Sequence, residues 1–450
     1  MAYQNGLKLR NYLLIKPKEA SFSRITFVEF SEEGQKLRES LLFRILIIAS
    51  AVLQKLLLKI RDPMAKIGDL LESFLNLYRS TAGKVVLPSP IHKSASIVGN
   101  LDARVDLDKK ITTDDDKYLG ALTAMAARLA YESAAYITNV VQLHWKIYFD
   151  VVSLLNTHEY CGDLCGDLCD KVDPTPLSNA SDYLGTFSTP VFMFQDAKIN
   201  AKLVVMAFRG TDPFSADGWS TDIDFSYYEI ENVGKVHRGF AKALGIIQQD
   251  NTTPSQLLLE QGKDGIDLKP YAYYEIVKLL KGILLLNRNA KFIVTGHSLG
   301  GALSVMFAAA LAMHGQADLL CRVFTLMDSL GLGMNNFEPT WNRNCQRIGG
   351  SIINQTVLAD APNKNYFSLI WSIPKLLYAV WELIRSFILP RRNGPEYKEG
   401  WFQTLYRLNG ILLPGISAHG VQDYVNLTRL GSVPALIGPF DEPIKVLIQP

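Results

Sequence analysis

Gly296-His297-Ser298-Leu299-Gly300 sets a serine in the spacing G-x-S-x-G. The β-branched run Phe292-Ile293-Val294-Thr295 precedes it, and an apolar, Ala-rich segment from Gly301 to His314 follows it. That context predicts a buried strand, a sharp turn and a helix. On such a turn the hydroxyl stands exposed at the carboxyl edge of a sheet. Glycines flank it because side chains there would strike the strand and the helix. The helix N-terminus favours developing negative charge, and the Leu299 N–H becomes one donor to an oxyanion. The chemistry implied is attack of the Ser298 hydroxyl on an acyl carbonyl.

A serine hydroxyl needs a base to become a nucleophile. Seven histidines are available. His297 lies inside the turn, with its side chain directed away from the Ser298 hydroxyl. His237, in Lys235-Val236-His237-Arg238-Gly239-Phe240, reads as structural, and His92, His144 and His158 carry no accompanying motif. Around a nucleophile of this kind the acid and then the histidine follow the serine in the chain. Only His314 and His419 do so. His314 ends the helix that starts at the turn, about 20 Å away by helix rise. His419 remains, in the loop LPGISAHGVQDYV.

These groups need a scaffold. Val191–Phe194 and Leu203–Phe208 read as buried strands, and Cys321–Thr325 as another. Helical pattern runs around Phe240–Gln248 and Tyr274–Leu286. This alternation between about 190 and 330 indicates an α/β sheet. Asp114-Asp115-Asp116 precedes a helical run rich in small residues, where the acids serve as helix N-terminal charge. The first hundred residues read as helices and loops. Within them Leu41–Ile60 is an amphipathic helix whose Arg44, Lys55 and Lys59 share one sector about 60° wide. Its apolar face is broad enough to lie in a membrane interface; the alternative is a core helix with snorkelling lysines. Lys375–Leu389 is a second amphipathic candidate, or a packed helix with Glu382 and Arg385 paired.

Composition narrows the class. The 450 residues are 48% hydrophobic and 20% charged, with a formal net charge of +2. Such a balance lacks the basic stripe of a nucleic-acid binder, and no apolar run is long enough to span a bilayer. Five cysteines make no disulfide framework. Cys161, Cys165 and Cys169, beside His158, match no familiar zinc spacing and read as a short duplication in a polar loop. No metal or organic cofactor is expected. The chain opens without a secretory leader pattern, so secretion is not expected and the sequon at Asn179 reads as unused.

The segments FRGTDP, KVHRGF and VTGHSLGGAL together resemble the class 3 lipases. VWELIRSF, GPEYKEGW and PGISAHGVQDYVN are similar to the plant oil-body triacylglycerol lipases within that class. The resemblance implies an α/β-hydrolase fold with an N-terminal helical, membrane-interface region. Residues 1–100 would be the lipid-surface-associating part and 101–450 the hydrolase domain. It implies Ser298 as nucleophile, His419 as base, and Thr211 as the second oxyanion-hole residue beside Leu299. It places a lid over Asp212–Asp224, with Phe214 and Trp219 on its apolar side. The implied substrate is an acylglycerol, met at a lipid-droplet or cytoplasmic membrane surface. Phospholipid or galactolipid is the alternative ester.

One stretch departs from the family pattern. The motif that carries the triad acid is absent, and residues 327–360 stand in its place. A reading-frame slip from about Leu326 would account for it, because Met327–Phe337 can be back-translated so that a neighbouring frame spells the family motif. Two substitutes are considered: Asp328, which follows the strand after the nucleophile strand and so falls at the same sheet edge, and Asp360, downstream in a polar stretch past the lost motif. Losing the acid typically costs about 10⁴-fold in turnover. A catalytically impaired homologue that only binds lipid surfaces is therefore the competing expectation.

Overall fold

A computed structural model describes residues 9–15, 28–30, 41–81, 95–115, 117–145, 150–158, 188–197, 199–230, 234–246, 272–313, 323–325, 369–412 and 419–430. In chain order the elements begin with β1 (Leu9–Ile15), β2 (Val28–Phe30), α1 (Leu41–Thr81), α2 (Ile97–Leu101), α3 (Tyr118–Leu129) and α4 (Ala134–Asn139). Then come β3 (Asp150–His158), β4 (Ser188–Gln195), β5 (Leu203–Phe208), α5 (Ala216–Ile223), β6 (Tyr227–Ile230), β7 (Gly234–His237) and α6 (Arg238–Ala243). The rest are α7 (Ala272–Leu286), β8 (Lys291–Gly296), α8 (Leu299–Met313), β9 (Val323–Thr325), α9 (Leu369–Asn393), α10 (Trp401–Leu412) and α11 (Val421–Leu430).

The site rests on a five-stranded sheet of order β3-β4-β5-β8-β9. β5, β8 and β9 run parallel, and β4 pairs antiparallel with both β3 and β5. Successive side chains of a strand point to opposite faces, and both faces here are covered. Val204, Met206, Phe208, Phe292 and Val294 pack on α7 and α8, with Ile276, Leu280, Leu303 and Phe307. Val205, Ala207 and Ile293 pack on α3 and α4, with Leu122, Met125, Tyr136 and Ile137. Burial on two sides explains why these strands read as continuous apolar runs rather than alternating ones.

The α/β expectation for residues 190–330 holds in this sheet, with one difference in length. The helical pattern near Phe240 closes at Ala243, where Leu244 and Gly245 turn the chain, Gly245 at φ 69°. The run after the three aspartates divides into α3 and α4, because the chain turns after Ala130 and Ser133 caps the second helix by accepting from the Tyr136 N–H.

Over the first hundred residues the expectation of helices and loops is corrected. β1 pairs antiparallel with β2 and with β6, in a four-stranded sheet of order β2-β1-β6-β7. The pairing of β1 with β6 is non-local, so the local pattern carries no sign of it. α1 continues past Ile60 to Thr81, through Pro63. Its Ile47, Ala51, Gln54, Leu57, Ala65 and Leu75 are buried, while Ile45, Ile48, Val52, Leu56, Ile67, Leu70 and Phe74 are exposed. No described helix is long and apolar enough to cross a membrane.

Candidate active site

β5 and β8 are parallel neighbours in register, with Phe208 opposite Gly296. Their carboxyl ends therefore bring the segment Arg209–Thr211 beside the turn Gly296–Gly300. The turn is tight. A Cβ on Gly296 would sit 2.2 Å from the Gly300 carbonyl carbon, and one on Gly300 would sit 2.2 Å from the Phe208 carbonyl oxygen. Ser298 itself lies at φ 57°, a left-handed conformation uncommon for a residue with a side chain. The Gly300 N–H donates to the His297 carbonyl and the Ala302 N–H to that of Ser298, which starts α8. Leu299 is in the first turn of α8, where N–H groups find no acceptor inside the helix.

His419 stands one residue before Gly420 and two before α11. Its Nε2 is 2.8 Å from Ser298 Oγ, across 121 residues of chain. Burial holds the His419 imidazole well below its ordinary range, at about 4. Its Nδ1 is buried and has no hydrogen-bond partner among the described residues. Asp328 and Asp360, the two acids considered from the sequence, lie outside the described residues. So do Cys161, Cys165, Cys169 and His314, and the departure at 327–360. Among the described residues no group of His, Cys, Asp and Glu could hold a metal ion.

Thr211 donates its hydroxyl to Asp222 Oδ2, at 2.6 Å. Asp222 sits on α5, and burial pushes its carboxyl up to about 7 against the lowering effect of that bond. Ser215 caps α5 by accepting from the Gly218 N–H, and the Trp219 indole donates to the Pro213 carbonyl at 3.0 Å. α5 packs along α1. Ser50 donates to the Ile223 carbonyl at 2.6 Å, and Arg61 Nε lies 2.9 Å from Asp217 Oδ2. Phe214 packs with Ala65, Leu71, Ile97 and Phe402, while Trp219 is exposed. The two aromatic residues of the expected lid thus have different surroundings: one docks against α1, α2 and α10, the other meets solvent.

Behind the serine, His297 is buried and faces away from the Ser298 hydroxyl, as expected. Its Nδ1 is 2.8 Å from the Tyr131 hydroxyl and its Nε2 is 2.7 Å from the His419 carbonyl oxygen. His237 caps α6, its Nδ1 accepting from the Phe240 N–H. On the far side of His419, α11 is fastened by buried charge. Arg407 of α10 meets Glu399 at 2.6 Å and Asp423 at 2.8 Å, with Glu382 of α9 at 3.8 Å. Burial and the neighbouring Asp423 raise Glu382 to about 9 despite Arg407 and Arg385, so it stays protonated at neutral pH. Sequence reasoning missed Tyr131, Asp222 and Arg407. No motif flags the first and last; Asp222 lay within the expected lid but was not distinguished from its neighbours.

The family model for class 3 lipase matches residues 205–328. A triacylglycerol lipase of Arabidopsis thaliana, OBL1, is 33% identical over 491 residues, covering 92% of this chain and 88% of that protein. The protein of the same name in Nicotiana tabacum is 32% identical, covering 86% of this chain and 83% of its own length. That of Ricinus communis is 29% identical, covering 85% of each. No solved structure matches the chain.

Proposed function

The chain belongs to the class 3 lipases, with the α/β-hydrolase fold, and from that premise we propose that it is a triacylglycerol lipase working at a lipid surface. The observation that carries the reading is the 2.8 Å contact between Ser298 Oγ and His419 Nε2 at a strained strand-to-helix turn. Ser298 attacks the ester carbonyl while His419 takes the hydroxyl proton. The Leu299 N–H and Thr211 hold the oxygen that becomes negative. The tetrahedral species expels the alcohol, which receives the proton from His419. Water, activated by His419 in turn, releases the fatty acid and restores the Ser298 hydroxyl. α5 is the lid, tied to Thr211 through Asp222 and to α1 through Ser50 and Arg61.

The surface reading rests on where apolar side chains remain exposed. Most of the large ones among the described residues lie on α1, α9 and α10. Tyr78 and Trp401 stack edge to face at 6.1 Å, joining α1 to α10, and α9 packs on α10. Leu56 and Leu70 of α1, Leu377 and Trp381 of α9, and Leu405 of α10 are among the exposed residues. A monomer seldom leaves so much apolar area in water. A lipid-droplet or membrane surface is the partner we assign to it.

A second reading has its own support. The buried Nδ1 of His419 has no acceptor among the described residues, as in a lipase homologue that binds lipid without hydrolysing it. A fluorophosphonate probe decides between them. Covalent labelling of the wild type, lost in Ser298→Ala, is the expected result; an unlabelled wild-type protein supports the inactive reading.

A further inference from the structure

We propose that Tyr131 and His297 form a positioning pair that holds the His419 main chain at the nucleophile, independently of any carboxylate on its Nδ1. The inference rests on the proposed hydrolase reading of Ser298 and His419. The proton assignments follow from the partners. The His419 carbonyl can only accept, so His297 Nε2 carries hydrogen. Burial pushes the His297 imidazole down to about 3, with the adjacent His419 adding to the effect. The ring is therefore neutral, its Nδ1 is bare, and the Tyr131 hydroxyl donates to it. Burial raises the Tyr131 pKa, so it remains a phenol and a donor.

The pair spans the whole site. A Cβ on Gly210 would sit 2.0 Å from the Tyr131 hydroxyl, so that hydroxyl abuts the segment leading to Thr211. The His297 ring lies 4.9 Å from that of His419 and 5.2 Å, edge to face, from Tyr424 of α11. His297 is bonded through the chain to Ser298 and through hydrogen to His419. One side chain thus fixes the distance between nucleophile and base. A neutral ring with its single proton committed to a carbonyl does not compete for the Ser298 proton. A second positive charge beside His419 is also disfavoured when His419 becomes imidazolium.

Two substitutions separate positioning from packing. Glutamine puts an amide nitrogen where Nε2 stands, and asparagine puts one where Nδ1 stands. His297→Asn should lower kcat by about 10- to 100-fold with KM little changed, the scale of a base displaced by about 1 Å. His297→Gln should recover most of that rate at equal melting temperature. Tyr131→Phe should cost less than His297→Asn, because the His419 carbonyl still selects the same tautomer. Equal rates in the Gln and Asn variants, or wild-type turnover in His297→Asn, would overturn the proposal. Imidazole nitrogen NMR of the wild-type protein tests the pair whether or not the enzyme turns over. A neutral Nε2–H tautomer for His297 from pH 5 to 9 is expected. An Nδ1–H tautomer or an imidazolium in that range refutes it, whereas failure of probe labelling alone refutes only the hydrolase reading.

Discussion

Arg61 of α1 faces Asp217 in the first turn of α5, the two at 2.9 Å and each about a quarter exposed. The long amphipathic helix and the proposed lid are therefore joined by an ion pair as well as by the Ser50 bond to Ile223. Arg61→Ala should raise turnover of a dissolved short-chain ester about two- to fivefold. An exposed pair contributes up to about 1 kcal/mol, which sets that ceiling. The swap Arg61→Asp with Asp217→Arg should return the rate toward wild type. If Arg61→Ala left that turnover unchanged, the pair would have no part in closing α5.

Asp222, which accepts from the Thr211 hydroxyl, gives the folded state a pH dependence. Its carboxyl moves from an ordinary value of 3.8 to about 7 in the folded protein. Because the folded value is raised, the contribution to stability is complete below about pH 4 and is lost as pH climbs through 7. Asp222→Asn cannot titrate. The melting temperature of the wild type, relative to Asp222→Asn, should fall between about pH 4 and 7 and level off above. A constant difference across that range contradicts the assignment.

The pH profile of turnover reports on the missing acid. His419 must be neutral to accept the Ser298 proton, and burial alone sets its pKa at about 4. The acid limb of kcat/KM is then expected below about pH 5, where protonation removes the base. A limb at 6.5 or above would mean that a carboxylate engages Nδ1, and Asp328→Asn and Asp360→Asn would show which one.

The apolar face makes a fourth prediction. Leu56 and Leu70 are exposed on α1, 49% and 71% respectively. Replacing either by Asp should weaken binding to a triolein emulsion by about tenfold or more, since burying a leucine is worth about 1.5–3 kcal/mol. Turnover of a dissolved ester should not change. Flotation of the emulsion measures the first and a spectrophotometric assay the second. Undiminished flotation of the double variant would move the lipid contact elsewhere.

What the sequence made legible was local. The turn at Ser298 announces itself because its geometry demands glycines in fixed places, and β5 and β8 because burial on both faces makes them apolar throughout. His419 was reachable through chain order. The pairing of β1 with β6 was not, because partners more than two hundred residues apart leave no mark on either segment. Arg407 was equally silent. Its three acidic neighbours come from α9, the segment before α10 and α11, and only the fold brings them together. His297 was visible, but its use was not. A histidine beside the nucleophile declares its role only when the main chain of a distant loop arrives at its Nε2.

The separation of Ser298 from His419 has a temporal side. Ser298, the proposed nucleophile, sits between β8 and α8, and His419, the proposed base, at the entry of α11, 121 residues later. During synthesis the elbow can therefore assemble on its sheet while the base is still unmade. Arg407, already facing Glu399, gains its contact with Asp423 only when α11 arrives. On the proposed mechanism, then, the elbow alone cannot cleave an ester: hydrolysis waits on the docking of α11, which delivers His419.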